Sequence, residues 1–192
     1  MSFGAKYAGD AYSWGELVST LFGWLALLTA FTYFLGWWSL GSGVRYCGAE
    51  TVGLHRDDSV FVNNNQYFGG VAARTDRLAF AGQHSIRLDT AHPYGFLTRL
   101  HDLRPTLRFR ATVWRTAENP AHLSNGRLVA AMRNDAYYRT GARVIAERDG
   151  WQQIELRIDS LPPLWFRSLD IYCWNTQAPP VYFDELRIER LD

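Results

Sequence analysis

Two patterns of hydrophobic residues divide this chain. From Leu17 to Leu40 no residue is charged and most are apolar, in the run LVSTLFGWLALLTAFTYFLGWWSL. As an α-helix rising about 1.5 Å per residue, this run would extend about 36 Å, enough to cross a hydrocarbon core about 30 Å thick. We therefore predict a transmembrane helix at 17–40, an interfacial tail at 1–16 and a linker at 41–57.

Tryptophans mark both ends of the predicted span. Trp14 precedes it, while Trp37 and Trp38 lie at its end, as is usual at membrane interfaces. The chain start has neither the basic segment nor the short apolar core of a cleaved signal peptide. We therefore expect an uncleaved single-pass anchor in a lipid bilayer. The basic residues near the two ends nearly balance, so they do not decide the orientation.

A second pattern begins near Val60 and continues to the C-terminus. Short runs alternate between apolar and polar residues, and turn-forming sequences such as SNG, RDG and APP separate them. Alternation with a period of two predicts antiparallel strands buried on one face. We therefore predict a mainly β domain, an antiparallel β-sandwich of the jelly-roll type, at 58–192. The alternating runs are Ser85 to Asp89, Thr106 to Trp114, Arg127 to Arg133, Gln153 to Asp159 and Ser168 to Trp174.

The last run, PVYFDELRIERL, changes phase along its length. Its first apolar residues, Val181 and Phe183, have one parity, and the later ones, Leu186 and Ile188, have the other. One extra residue in a strand reverses the direction of the side chains that follow it. The phase change therefore predicts a β-bulge near Asp184.

Composition excludes several functions. The chain has 20 basic and 19 acidic residues, a formal net charge of +1 and no basic cluster, so its composition argues against nucleic-acid binding. It contains no catalytic or nucleotide-binding motif, and we expect neither enzymatic activity nor a cofactor. Cys47 lies in the predicted linker and Cys173 at a predicted core position, so we expect a buried free thiol rather than a disulfide.

Three segments together resemble the galactose-binding-like jelly rolls, a superfamily that includes many carbohydrate-binding modules. They are AFAGQHSIRLDT from Ala79, DGWQQIELRIDSLP from Asp149 and VYFDELRIERL from Val181. The resemblance covers about residues 60–192 and implies a β-sandwich whose relatives bind sugars, lipids or proteins, or brace larger assemblies. By analogy with exported members, we expect the domain outside a bacterial cytoplasmic (inner) membrane, on the periplasmic or extracellular side.

The resemblance also implies a structural calcium ion. Several such modules hold calcium partly through an acidic pair on the last strand, and Asp184 with Glu185 matches that pair by position. The usual NGDFE-like opening of the family is missing here. The alternative is that the two acids flank the predicted bulge without binding a metal.

Outward-facing side chains on two predicted strands form a candidate binding surface. Aromatic rings can stack on sugars, while arginine and aspartate can bond hydroxyl groups. The same residue types are common at the centres of protein–protein interfaces. The alternative is that they only shield the sheet. The candidates are Arg108, Arg110 and Trp114 on one strand and Asp170, Tyr172 and Trp174 on another.

Two functions fit these observations. The first is a non-catalytic accessory subunit of a larger membrane complex, for example a bioenergetic one, whose helix packs in the bilayer and whose sandwich caps or braces other subunits. Aromatic residues in the tail and the absence of a Ser/Thr/Pro-rich stalk favour this function. The alternative is a membrane-tethered carbohydrate-binding module outside the membrane, with a glycan as its partner.

Overall fold

The computed structural model of the chain describes residues 44–101, 103, 106–132, 137–161 and 168–191. The predicted tail, the transmembrane helix at 17–40 and its flanking tryptophans Trp14, Trp37 and Trp38 lie outside these residues, so they stay predictions. Within the described ranges, no helix has the length and apolar character that a membrane crossing needs.

The described residues form fourteen strands and two short 3-10 helices, Val71–Ala73 and Pro120–Asn125. The strands are β1 (Arg45–Cys47), β2 (Val52–His55), β3 (Asp58–Asn63), β4 (Gln66–Phe68), β5 (Arg74–Thr75), β6 (Ser85–Leu88), β7 (Tyr94–Leu100), β8 (Phe109–Thr116), β9 (Arg127–Ala131), β10 (Tyr138–Gly141), β11 (Arg143–Arg148), β12 (Trp151–Ile158), β13 (Leu169–Trp174) and β14 (Val181–Arg190).

Two antiparallel sheets enclose the core. The larger has the order β11-β12-β8-β14-β6-β5, with β1 also paired to β14, and the smaller has the order β10-β9-β13-β7. Alternate residues of both sheets are fully buried in one hydrophobic cluster, for example Ile86 and Phe183 from the larger sheet and Ile171 and Leu128 from the smaller. The predicted antiparallel β-sandwich is therefore confirmed.

A third sheet, in the order β2-β3-β4, continues the smaller one. Gly69, just after β4, donates its N–H to the Leu97 carbonyl of β7 at 2.7 Å and accepts the Leu97 N–H at 3.1 Å. The β3–β4 turn has positive φ at Asn64 and Asn65, 45° and 62°. Two consecutive residues with positive φ produce the tight hairpin turn that matches strand twist. This three-stranded meander therefore extends the outer surface of the smaller sheet beyond β7.

The chain passes from the smaller sheet to the larger one between β10 and β11, with only Ala142 between the two strands. At the end of β10, a Cβ on Gly141 would lie 2.5 Å from the Glu155 carbonyl oxygen and 2.6 Å from the Leu156 Cα of β12. Contacts this short with backbone atoms cannot be relieved by a rotamer change. Glycine therefore allows the close approach that closes this side of the sandwich.

The strand predictions from alternation are confirmed. The five runs correspond to β6, β8, β9, β12 and β13, with boundaries shifted by a few residues. The predicted bulge in the last strand is also present, since the register between β14 and β8 shifts between Asp184 and Arg187. Glu185 within it has a φ of 56°. The bulge turns both apolar pairs of β14 toward the core, as the phase change indicated.

The expected linker at 41–57 contributes two strands instead. β1 pairs with β14 just after the bulge, where Cys47 lies opposite Leu186. Cys47 is only 2% exposed and belongs to the core cluster, which corrects its placement in a linker. Cys47 and Cys173 are both buried and free, and burial raises the pKa of the Cys47 thiol to about 12. Three residues are too few for alternation to show, and so the sequence pattern missed β1.

Candidate functional site

The six predicted binding residues lie on two different sheets. Arg108 directly precedes β8, Arg110 and Trp114 lie on β8 in the larger sheet, and the other three lie on β13 in the smaller sheet. Because the buried residues of both strands face the shared core, their remaining side chains project from opposite sides of the sandwich. The structure therefore does not bring the six residues together, and the two halves are separate surfaces.

The outer face of the larger sheet is occupied by ion pairs. The Arg110 Nη2 atom lies 2.6 Å from Glu189 Oε2, and its Nη1 atom lies 4.0 Å from Glu155 Oε1. The hydrogen bond from Arg110 lowers the pKa of Glu189 despite the opposing effect of burial. Arg108 lies 3.5 Å from Asp159. Both arginines predicted to bind a ligand are thus already matched with carboxylates of this domain.

Trp114 is covered by the loop that precedes β6. The Phe80 ring stacks on it with a centroid distance of 4.1 Å and an interplanar angle of 13°. Phe80 also meets Trp151 edge-on at 5.8 Å, and the Arg148 guanidinium lies 5.8 Å from the Phe80 centroid. Stacking of this kind stabilises the loop on the sheet. The Trp114 face that sequence analysis assigned to a ligand is therefore occupied by Phe80.

The smaller sheet carries an aromatic surface on its outer side. Tyr94 of β7 and Tyr172 of β13 meet edge-to-face, with centroids 5.6 Å apart and an interplanar angle of 73°. Trp174 lies opposite Tyr94 in the strand register and opposite Arg127 on the other side. Tyr94 is 53% exposed, so its ring is accessible to a ligand. We call the surface formed by Tyr94, Tyr172 and Trp174 the aromatic face.

An irregularity in β7 places Tyr94 on this face. Phe96, Thr98 and Leu100 are buried, and uninterrupted alternation would have turned Tyr94 inward with them. The register between β7 and β13 instead shifts between Ile171 and Cys173, where Phe96 has a φ of 50°. A bulge reverses side-chain direction. Without this irregularity, the parity of β7 would give Tyr94 the opposite orientation, so alternation alone does not place Tyr94 on the outer face.

A charged pair borders the aromatic face. Arg99 of β7 donates from Nε to Asp170 Oδ1 at 2.6 Å and from Nη2 to Asp170 Oδ2 at 2.8 Å. This bidentate bond raises the pKa of Arg99 and fixes both side chains in one plane. Asp170, predicted from sequence as a binding residue, is therefore held in place by a partner that sequence analysis did not identify.

The acidic pair proposed for calcium does not fit a metal site. Asp184 is fully buried, and its Oδ2 atom accepts the Phe80 and Ala81 N–H groups at 2.9 and 3.1 Å. Its Oδ1 atom accepts the Glu185 N–H at 2.8 Å. The described residues include no group of three histidine, cysteine or acidic side chains placed to hold a metal. The Asp184 carboxylate thus ties the bulge of β14 to the loop that covers Trp114.

Asp184 is expected to make stability depend on pH. Burial raises its pKa from 3.8 to about 7, although three backbone N–H donors oppose the shift. The folded chain then holds this proton at pH values where the unfolded chain has released it. The free energy of unfolding should therefore fall as pH rises from about 4 to about 7, by at most about 1.4 kcal/mol per pH unit from this group.

Denaturant unfolding of the wild type and of Asp184→Asn at pH 5, 6, 7 and 8 measures this contribution, because the amide does not titrate. The wild type should lose stability relative to the variant up to about pH 7, and the difference should then stay constant. Parallel curves over the whole range would show that Asp184 is ionised throughout.

The sequence matches no protein-family model and no curated protein. Solved structures similar to this chain include the CBM22-1 xylan-binding domain from Paenibacillus barcinonensis Xyn10C, at 14% identity with a TM-score of 0.42, covering 77% of this chain and 86% of that one. Another is the CBM22-1–GH10 part of the Clostridium thermocellum endo-1,4-beta-D-xylanase 10B in complex with xylohexaose, at 8% identity with a TM-score of 0.43. That match covers 79% of this chain and 26% of the other.

A third similar structure is TmCBM61 in complex with beta-1,4-galactotriose. It is 11% identical, with a TM-score of 0.36, and the match covers 78% of this chain and 89% of that one. Likeness at this level concerns the β-sandwich fold alone. The ligand of this chain must be inferred from its own side chains.

Proposed function

We propose that this protein is a non-catalytic binding module that displays its β-sandwich on a membrane through the predicted N-terminal anchor and binds a glycan on the aromatic face. One observation carries this proposal: Tyr94, Tyr172 and Trp174 lie together on one outer sheet surface, beside the fixed Arg99–Asp170 pair. The outer face of the other sheet offers no comparable aromatic surface in its described part, because Phe80 covers Trp114.

The chemistry of this face suits a sugar chain. Aromatic rings present flat apolar surfaces with little conformational entropy to lose, and the C–H face of a pyranose ring can pack against them. A carboxylate and a guanidinium held in one plane can bond neighbouring hydroxyl groups without reorganising. An open sheet surface fits a segment of an extended polymer. The resemblance of residues 60–192 to galactose-binding-like modules is compatible with this ligand class, since many of those modules bind carbohydrates.

Glycan binding by the full chain in detergent tests this function. A glycan array should identify a ligand, and calorimetry should then show that Tyr94→Ala and Trp174→Ala each weaken binding by about tenfold or more, equivalent to about 1.4 kcal/mol. Phe80→Ala is the matched control, since it removes a ring that covers the outer face of the opposite sheet. Its affinity should stay within about twofold of the wild type. Equal losses in all three variants would place the ligand elsewhere.

A protein subunit is the second candidate for the same face. Tyrosine, tryptophan and arginine are the residues enriched at interface hot spots, and Arg127 lies in register beside Trp174. The protein would then be an accessory subunit that braces a membrane complex. Mild purification from the native membrane separates the two functions. A stoichiometric partner that is lost with Tyr94→Ala, together with a negative glycan array, would favour the subunit.

A further inference from the structure

β2 is an unprotected edge strand. It ends the β2-β3-β4 sheet, and no described strand pairs with its other side. Val52 and Leu54 on this strand are 41% and 77% exposed. Although β2 has only four residues, its segment from Val52 to Leu54 has no charged side chain, proline or bulge of the kind that protects many edge strands.

The backbone of β2 is oriented for pairing. The Thr51 carbonyl accepts the Val62 N–H at 2.9 Å, so Thr51 faces β3. In an antiparallel pair, every second residue bonds to the same neighbouring strand. Gly53 therefore also faces β3, while the N–H and C=O groups of Val52 and Leu54 point toward the open edge.

An open cavity adjoins this edge. Its volume is ≈ 450 Å³. It has an apolar side, to which Val52 contributes, and a polar side from the segment around β5. A strand added along β2 would place alternate side chains over it. The cavity is lined by Val52, Val71, Arg74, Thr75, Asp76 and His84.

The edge at β11 is built differently. β11 also exposes apolar side chains, Val144 and Ile145. However, its register with β12 shifts between Val144 and Ala146. Such a bulge discourages edge-to-edge pairing. The register of β2 with β3 has no shift, which distinguishes the β2 edge as an interaction surface.

The geometry points to a second copy of this chain as the occupant, with two β2 strands pairing antiparallel about a twofold axis at Gly53. In this register Val52 of one copy lies opposite Leu54 of the other. Leu54 of each copy then covers the cavity that Val52 lines in the other copy. Four backbone hydrogen bonds would form between Val52 and Leu54 of the two copies. The surface is thus self-complementary, as a twofold interface requires.

Charges at the two ends of β2 are also complementary. Arg74 bonds the Ala49 and Glu50 carbonyl oxygens, each at 2.8 Å, and forms no ion pair with a described residue. Asp57, in the exposed turn after β2, likewise forms no ion pair within the described part. The twofold register brings this turn beside Ala49 and Glu50 of the other copy. Asp57 of each copy then approaches Arg74 of its neighbour.

Cysteine pairs test this register in the full chain in nanodiscs. Val52→Cys and Leu54→Cys chains with different tags are co-expressed and mildly oxidised. Opposite bonded residues have Cα atoms about 5.5 Å apart, within the disulfide range of about 4.4–6.8 Å. Mixed disulfide dimers should therefore form in high yield. Either variant alone should cross-link poorly, because the same position in the two copies is related diagonally, about 7–8 Å apart.

Two controls complete the test. Val144→Cys places a thiol on the protected edge and should give only background cross-linking, while the native thiols are buried. Leu54→Glu should reduce the dimer fraction by more than about tenfold, since an unpaired carboxylate would be buried in the interface. With one chain per nanodisc, the melting temperature of this variant should match that of the wild type, since this side chain is 77% exposed in the single chain.

Mixed cross-linking no greater than that of Val144→Cys would overturn the proposal. Equal cross-linking by the single variants would do the same, because it would indicate random collision. Capture of a different polypeptide by the Leu54→Cys chain in native membranes, without mixed dimers, would assign the edge to another protein and also refute self-pairing. None of these outcomes bears on the glycan proposal, which concerns a different surface.

Discussion

Replacing Phe183 with alanine should lower the free energy of unfolding by about 3–5 kcal/mol. Phe183 is fully buried on β14, which pairs with β6 on one side and β8 on the other. Its ring packs against Gly126, where an added Cβ would lie 2.6 Å from the Phe183 Cζ atom. Glycine has no side chain that could move into the space left by the ring. The cavity should therefore persist, and the cost should lie at the high end for a phenylalanine.

Urea unfolding of the full chain in detergent, followed by tryptophan fluorescence, measures this effect. Leu97→Ala is the control, because Leu97 is a 41% exposed apolar residue in β7 and its truncation should cost less than about 0.5 kcal/mol. A Phe183→Ala loss below about 1 kcal/mol would mean that the core re-forms around β14, in conflict with the packing described above.

Replacing Asn175 with alanine should lower the free energy of unfolding by about 2–5 kcal/mol, since each buried polar group left without a partner costs about 1–3 kcal/mol. The Asn175 side chain is fully buried directly after β13. Its Nδ2 atom donates to the Leu88 and Pro179 carbonyl oxygens at 2.8 and 3.0 Å. Its Oδ1 atom accepts the Gln177 N–H at 2.9 Å. Alanine would leave all three groups without this partner.

The matched control is Asn119→Ala, the same substitution at an exposed position. The Asn119 Oδ1 atom accepts the Ala121 N–H at the start of a 3-10 helix, and loss of this bond should cost about 1 kcal/mol. Because Asn175 directly follows Trp174, its replacement should also weaken glycan binding even where the fold persists. If the melting curves of both variants coincided with that of the wild type, water would be replacing the Asn175 hydrogen bonds without loss of stability.

Much of the fold could be predicted because a strand buried on one face alternates apolar and polar residues along the sequence. Ile154, Leu156 and Ile158 alternate with polar residues and are all buried, as expected for β12. The bulge in β14 was also predictable, because two apolar pairs of opposite parity cannot face one core without an extra residue. β1 was not predictable, since three residues show no period and the strand exists only through its pairing with β14.

The candidate site was only partly predictable. Alternation correctly separated the outward residues of β13, Asp170 and Tyr172 among them, from the buried ones. It could not show that Arg99 bonds Asp170 or that Phe80 covers Trp114, because these partners are distant in sequence. Nor could it place Tyr94 on the outer face, since the irregularity in β7 leaves no mark in the apolar pattern.

The sequence by itself determined which residues of the alternating strands β6, β8, β9, β12 and β13 face the core and where the last strand must bulge. It also contains the long uncharged run at 17–40 from which a membrane anchor is predicted. These properties follow from neighbouring residues, because side-chain direction repeats every two positions along a strand. Only the tertiary structure decided which strands adjoin. Which strands adjoin is set by pairing between distant segments. This pairing places β8 and β13 in different sheets, brings Tyr94 beside Trp174 and leaves β2 at an open edge.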